Sequence, residues 1–512
     1  MIEIQRPVVG DDFFDREEVL HELLETEKNY ALVGFRKTGK TSILLNLKER
    51  LENPLVSYTY ILFSETEHSF LLKFLNNTLA TYLRSRSIEM EYFEDSIESF
   101  NELARKAVAV NPKIANLILQ IKDHIGKPVS NTLIAMAFDL PERLTRDRFV
   151  ILLDEFQVLA NFKPRFLDIF RQKLQEQKKT RYIITGSMVG MMKEILEKEN
   201  APLFGHFNII PVGNFDYETA RGFVLANMKI NELHLNFLLS FTGGHPYYLA
   251  VILDRMLDTP VSRSSLLNSI REVLFEPRGQ LYIYLKETLE EMFRKRNMSR
   301  YFQILKAMSL GNHRTKDICS FVSLPMSTIP SYIDVLIFTE LILRKEDGYY
   351  IKDPVLDFWL RSCHRVQESS LLDMKEKLDY FEEKIHELFS SIKSELGKAR
   401  ESQIREVFSK KGFTVSSGFL EGEEFDLIAS QNNEILLREC KTGNITPKVV
   451  INFIRKIEKA ERKHKVKKKI LFSLFGITEK ARDVCKKEGI EIWNLQRINR
   501  ERTKAGLSKI RV

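Results

Sequence analysis

Apolar runs of strand length alternate with amphipathic stretches over the first 295 or so residues. YALVG (30–34), RFVILLD (148–154) and RYIITGS (181–187) are such runs. Being apolar on both faces, they predict parallel strands buried between helices, hence an α/β unit. From 300 to about 361 the pattern changes to three helical segments followed by LILRKEDGYYIKD (341–353). That segment predicts two short strands about an Asp-Gly turn, as in a winged helix-turn-helix. Next, Leu371, Met374, Leu378, Phe381, Ile385, Leu388 and Ile392 keep a 3–4 apolar spacing. The spacing suits a coiled-coil seam or a single helix packed on its own neighbours, and the second reading is preferred. Near the end, FDLIA (425–429) and EILLRECK (434–441) predict strands joined by the turn-like SQNN.

Length and composition narrow the class. The chain has 512 residues, 44% hydrophobic and 29% charged, which predicts a globular protein of three or more domains. No run approaches the roughly 18 to 20 apolar residues of a membrane helix. The start lacks a secretory pattern, and Cys319, Cys363, Cys440 and Cys485 form no CxxC pair. These features predict a cytoplasmic chain without a zinc site, disulfide framework or membrane association. Charge is uneven: from Lys393 onward, 28 Lys and Arg face 16 Asp and Glu, a balance of +12, whereas the remainder carries −4. The C-terminal excess suits a polyanion and equally a Lys-rich solvated surface.

The first chemistry is a phosphate cradle. GFRKTGKTS (34–42) fits G-x-x-x-x-G-K-[ST] and lies between a strand and a helix. Gly34 and Gly39 let the backbone curl so that its N–H groups and the helix N-terminus face phosphates. Lys37, Thr38 and Ser42 complete the loop, Lys40 reaches the β- and γ-phosphates, and the Thr41 hydroxyl is a Mg²⁺ ligand. Asp154 ends a buried strand and suits the same Mg²⁺, with Glu155 placed to orient or deprotonate the attacking water. Ser187, at the end of ITGS, is either a γ-phosphate sensor or an ordinary helix N-cap.

FFDREE, GFRKTGKTS, LLDEFQ, ITGSMVGMM, APLFG and TGGHPYYL occur in the order seen in the archaeal ATPase family, of the STAND branch of AAA+-like P-loop NTPases. The resemblance covers about residues 8 to 361. It implies that Gly244-His245-Pro246 packs near the adenine and that Asp15 and Arg16 lie beside the nucleotide. After APLFG, where relatives carry Arg, this chain has His206, so no arginine finger is assigned. The candidate recognition helix, 326–341, has no Lys or Arg, which favours packing on the ATPase core over reading DNA.

The second chemistry is in EFDLIASQNNEILLRECKTG (424–443). Glu439 and Lys441 share a strand face, with Asp426 at the start of the paired strand. Two carboxylates placed together need a cation, and a divalent metal there activates water against a phosphodiester. The alternative for Lys441 is a surface ion pair with Glu439 or Asp426 on a solvated sheet edge. D-x12-E-x-K resembles the PD-(D/E)XK nucleases over about residues 395 to 495, although Phe425 replaces the usual Pro. The resemblance implies that Asp426 and Glu439 bind metal, that Lys441 positions water or stabilises charge, and that Glu401 is an outer ligand. The stretch 455–469 carries nine Lys and Arg against two Glu and is favoured as a DNA face.

The expected fold class is α/β: a P-loop NTPase parallel sheet with helical lid, winged helix, helical connector and C-terminal restriction-endonuclease-like α/β domain. The expected domains are 1–225 (ATPase core), 226–299 (lid), 300–362 (winged helix), 363–394 (connector) and 395–512 (nuclease-like). The expected function is an ATPase coupled to a metal-dependent nuclease acting on DNA, with ATP and Mg²⁺ as cofactors and a homo-oligomer as an open option. A regulatory switch whose nuclease-like domain only binds is the alternative. An initiator-like DNA-binding ATPase would need cations on the recognition helix.

Overall fold

The computed structural model describes the chain except residues 1, 5, 54, 89–92, 164, 294–295, 365–372, 432–433, 442–444, 474–475 and 508–512. Leu371 of the apolar ladder therefore lies outside the described residues. The side chains of Glu401 and Lys441 do as well. The contacts divide the chain into two units. One is Met1–Asn214 with His245–Ala250 and Lys286–Lys352; the other is Phe215–Gly244, Val251–Leu285 and Asp353–Val512.

In the first unit, α1 (Glu17–Glu25), β1 (Tyr30–Val33) and α2 (Lys40–Arg50) lead to β2 (Val56–Tyr60). Helices α3 (Glu67–Ser85), α4 (Ile97–Val110), α5 (Ala115–Ile125) and α6 (Asn131–Leu144) follow, then β3 (Phe149–Asp154), α7 (Arg165–Glu176), β4 (Thr180–Gly186), α8 (Val189–Leu196) and β5 (Asn208–Pro211). The strands form a parallel sheet in the order β2-β3-β4-β1-β5. β1 and β3 are buried along their whole length, as their uninterrupted apolar runs require. One face is covered by α1 and α2, through Leu20, Ile43, Leu44 and Leu47. The other carries a larger cluster built on Phe70, Phe74, Phe138, Phe166 and Phe170, whose rings meet at 4.7 to 5.9 Å. Side-chain oxygens of Thr66, Ser96 and Ser130 cap α3, α4 and α6.

Later helices are α9 (Tyr217–Asn227), α10 (Glu232–Thr242), α11 (Pro246–Met256), α12 (Arg263–Ile270) and α13 (Gln280–Met292). Then come α14 (Met298–Ser309), α15 (Thr315–Val322), α16 (Ile329–Phe338) and the antiparallel hairpin β6 (Ile342–Lys345) and β7 (Gly348–Ile351), matching the predicted three helices and Asp-Gly turn. Gly190 in α8 touches α16 so closely that a Cβ there would lie 2.5 Å from the Phe338 ring. Lys193 reaches Glu340 at 2.6 Å.

In the second unit, α17 (Pro354–Trp359) precedes α18 (Met374–Lys410), a single 37-residue helix that runs through position 394–395 without a break. Phe381, Ile385 and Phe389 are its buried stripe, with Phe389 5.0 Å from Phe237 and Phe381 5.0 Å from Phe275. Of the described ladder residues, Phe381 and Ile385 thus pack on the helix's own neighbours, Leu378, Leu388 and Ile392 are half-buried and Met374 is exposed. Arg400, 4% exposed, adds an ion pair to Glu232 of α10. Beyond α18 are β8 (Thr414–Leu420), β9 (Glu423–Gln431), β10 (Glu434–Lys441), α19 (Pro447–Glu461), β11 (Lys465–Ser473), α20 (Glu479–Lys487), β12 (Ile490–Trp493) and α21 (Leu495–Lys504). The sheet order is β12-β11-β10-β9-β8, antiparallel from β8 to β10 and parallel from β10 to β12. Ile404 and Phe408 of α18 and Ile498 of α21 pack on one face. Val450, Phe453 and Ile457 of α19 and Ala481 and Cys485 of α20 pack on the other.

Candidate nucleotide and nuclease sites

The loop between β1 and α2 is shaped as phosphate chemistry requires. Gly34 is buried, and a Cβ there would lie 2.0 Å from the Val212 carbonyl oxygen. Gly39 has φ +98°, a left-handed conformation natural to glycine. Thr38, almost fully buried, donates to the Phe35 carbonyl at 2.9 Å. Lys37 has φ 60° and its ammonium lies 5.0 Å from the centre of the Tyr247 ring. The Ser42 hydroxyl accepts from the Val8 N–H at 3.0 Å, anchoring the N-terminal segment across α2. Arg16, also in a left-handed conformation, donates to the Gly213 carbonyl at 2.5 Å.

Lys40 is buried and donates to the Phe35 carbonyl. Burial lowers its pKa to about 8, against the pull of Glu155 and Asp154. His245, beside it, is driven down to about 3 by burial and then by Lys40, and its neutral ring stacks on Tyr248 at 4.1 Å. Pro246 follows as the first residue of α11, half-buried.

Asp154 is fully buried at the end of β3. Burial holds its carboxyl above the ordinary range, partly offset by hydroxyls donated from Thr185, Thr41 and Tyr58, the last at 2.9 Å. Thr41 and Asp154, the two residues expected at one Mg²⁺ with Asp154 acting through water, are thus joined by a hydrogen bond. Glu155 adopts φ 60°, unusual for a residue with a Cβ. Ser187 donates to its Oε2 at 2.6 Å, and the Gln157 side-chain amide donates to the same oxygen at 2.5 Å. Gln157 also accepts from the Ser187 N–H at 3.3 Å. Ser187 is therefore no helix cap; α8 starts two residues later without a side-chain cap. Gln157 was missed by sequence reasoning, although its place in LLDEFQ, two residues after Glu155, was the available signal.

In the C-terminal sheet, Ser416 pairs with Ile428 but Gly418 pairs with Phe425. Two residues of β9, Asp426 and Leu427, therefore stand against one of β8, a bulge of the kind that re-aims side chains. The β9–β10 ladder ends at Leu427 and Arg438, so Asp426 and Glu439 each stand one position beyond the last pair. Glu439 is 3% exposed and Asp426 half-buried. Lys441 ends β10, in register with Ser473 of β11. Arg405 of α18 donates to the Asp426 carbonyl at 3.2 Å. Lys456 of α19 forms an ion pair with Glu439 and donates to the Glu424 carbonyl at 2.9 Å. Among the described residues, no group of three or more His, Cys, Asp or Glu is placed to hold a metal. Two carboxylates nevertheless suit Mg²⁺, which keeps several waters and takes substrate phosphates as ligands.

The basic stretch 455–469 is largely engaged. Lys459 pairs with Glu423, Lys463 with Glu421, Lys465 and Lys467 with Glu434, Lys468 with Glu491 and Lys469 with Glu461. Among the described residues Arg455 and Arg462 have no carboxylate partner.

The chain thus carries a P-loop-type parallel α/β module and a C-terminal mixed-sheet α/β module, each similar to a known family. Residues 13–252 match the family model described as an ATPase domain predominantly from Archaea, and residues 393–501 match one described as restriction endonuclease. An uncharacterised protein of Methanocaldococcus jannaschii is 26% identical over 303 residues, 56% of this chain and 65% of that relative's length. Among solved structures, a Walker-type ATPase of Pyrococcus abyssi aligns with TM-score 0.52 and 23% identity, over 70% of this chain and 98% of its own, a likeness of fold. The ORC2 protein of Aeropyrum pernix aligns at 0.41 with 10% identity, over 69% and 96%. Among the described residues no helix is long and apolar enough to cross a membrane.

Proposed function

We propose that this chain is an ATP-controlled, Mg²⁺-dependent DNA nuclease, a STAND-type ATPase switch joined to a PD-(D/E)XK cutting domain. The observation that carries it is the buried Glu439 one position past the end of the β9–β10 ladder, with Asp426 at the matching position of β9 in a β-bulge, in a region similar to restriction endonucleases.

At the first site the loop N–H groups and Lys40 hold the ATP phosphates, with Gly34 keeping the loop against Val212. Glu155 accepts the proton of the attacking water, and Ser187 reads the γ-phosphate. Ser187 has a single hydroxyl proton, which it gives to Glu155. A phosphate oxygen that takes that proton releases Glu155, so phosphate sensing and base positioning share one hydrogen. Thr41 and Asp154 here, and Asp426 and Glu439 at the second site, would hold Mg²⁺, which would supply charge neutralisation at both and an acidified water at the second. At the second site Lys441 stabilises charge at the scissile phosphate and Glu401 serves as an outer ligand. The proposed domains are those expected from the sequence, with α14–α16 and the β6–β7 hairpin as a winged helix that relays nucleotide state.

The alternative, a switch whose C-terminal domain only binds DNA or a partner protein, draws support from Lys456, which already neutralises Glu439. The test is cleavage of linear, supercoiled and single-stranded DNA with Mg²⁺ or Mn²⁺, with and without ATP. Cutting is expected from the unaltered chain, lost in Asp426→Ala and changed in its ATP response in Lys40→Ala. ATP binding without cutting of any substrate favours the binding-only switch.

A further inference from the structure

We propose that Lys456 is a built-in counter-cation of the nuclease site, one that must leave Glu439 before a divalent metal is held there. The inference rests on the metal reading of Asp426 and Glu439. Glu439 is 3% exposed, and an isolated carboxylate at that depth is costly unless a cation accompanies it. Lys456 comes not from the strands but from the helix packed over them. Its helix is fixed on the sheet by Phe453 and Ile457, so the ammonium is delivered to one place. There it contacts the Glu439 carboxylate and the Glu424 carbonyl, and lies 5.8 Å from the centre of the Phe425 ring. These groups span the two strands that carry the candidate ligands, immediately before Asp426 on one and at Glu439 on the other.

A divalent cation on Glu439 would meet the Lys456 ammonium at ion-pair range, where like charges repel strongly. The side chain has somewhere to go: Lys456 is 27% exposed, and a lysine stem has four rotatable carbons. Arg455, the next residue, is exposed on the same helix. A DNA phosphate near this helix offers the displaced ammonium a new partner. Metal and DNA then favour each other's binding, since each relieves the cost of parting Lys456 from Glu439, and the coupling is reciprocal.

The experiment measures Mn²⁺ affinity of the full chain by calorimetry, without DNA, for the unaltered protein, Lys456→Gln, Lys456→Arg and Glu439→Gln. Lys456→Gln keeps a hydrogen-bond donor for Glu439 but removes the charge. It is expected to bind Mn²⁺ about tenfold more tightly, while Lys456→Arg stays near the unaltered value. Glu439→Gln identifies which bound Mn²⁺ belongs to this site by abolishing it. Affinity unchanged or weakened in Lys456→Gln overturns the proposal. If no Mn²⁺ binding depends on Glu439 in either chain, the metal reading itself fails and takes the gating role with it. The thermal stability of Lys456→Gln, Glu439→Gln and the double variant separates the cases, because it needs no metal. Coupling between the two positions supports the counter-cation, and strict additivity overturns it.

Discussion

At the scale of single residues, the nucleotide site depends on two buried polar groups whose partners are fixed. Burial lowers the Lys40 pKa to about 8, so its ammonium is nearly complete about a unit below that, half present there, and lost as pH rises further. Phosphates bind the charged form. ATP affinity is therefore expected to be flat from pH 6.5 to 7.5 and to fall above 8 by up to about tenfold per unit, with proton uptake on binding. Calorimetry in buffers of differing ionisation enthalpy reads this directly, and Lys40→Met should show neither slope nor uptake. Gln157 is the other group. Its side-chain hydrogen bonds go to Glu155 and Ser187. Gln157→Ala is expected to lower ATP turnover by roughly tenfold to a hundredfold with KM nearly unchanged, since it frees the base from its positioning amide without touching the phosphate cradle. A matched fall in affinity would show that Gln157 shapes the loop instead.

At the scale of elements, the contact between α8 and α16 is a close one. Helix α8 starts two residues after Ser187, and Gly190 admits Phe338 where a Cβ would collide with its ring and, at 2.9 Å, with its backbone oxygen. Gly190→Ala is expected to lower stability by about 1 to 3 kcal/mol, with Phe338→Ala in the same chain recovering part of it; thermal melts of the single and double variants decide. Nothing in the sequence around Gly190 marks this approach, because the partner lies almost 150 positions away. The same reason divides what was legible from what was not. The phosphate loop, Asp154 and the strands beneath them could be read because the chemistry demands fixed residue types at fixed local spacing. The apolar ladder in α18 gave a helix with the right face, yet the buried ring next to Leu388 is Phe389. Gln157 was legible only as a neighbour of Glu155 in LLDEFQ, whereas Lys456 and the β9 bulge carried no local signal, since their meaning arises only when separate elements meet.

For the whole molecule, the question is where the +12 balance of the C-terminal part acts. Counting charges in 455–469 overstates the free cation, because seven of the nine lie against carboxylates of neighbouring segments. Exposed pairs are weak and screened by salt, so they do not forbid DNA, but a lysine already satisfied releases less on meeting a phosphate. Lys448, Arg455 and Arg462 differ: they are exposed and seven residues apart, hence on one face of α19 and just beyond its end. Each step of seven residues advances about 10 Å, the axial length of roughly three base steps. If this stripe follows a DNA backbone, replacing all three by Ala lowers the slope of log affinity against log salt by about two to three, uniformly across DNA sequences. Replacing Lys465 and Lys467, both paired with Glu434, should leave the slope within about one. The reverse result would move the DNA track from the helix to the start of β11, and with it the direction from which a phosphate reaches Lys456 and Glu439.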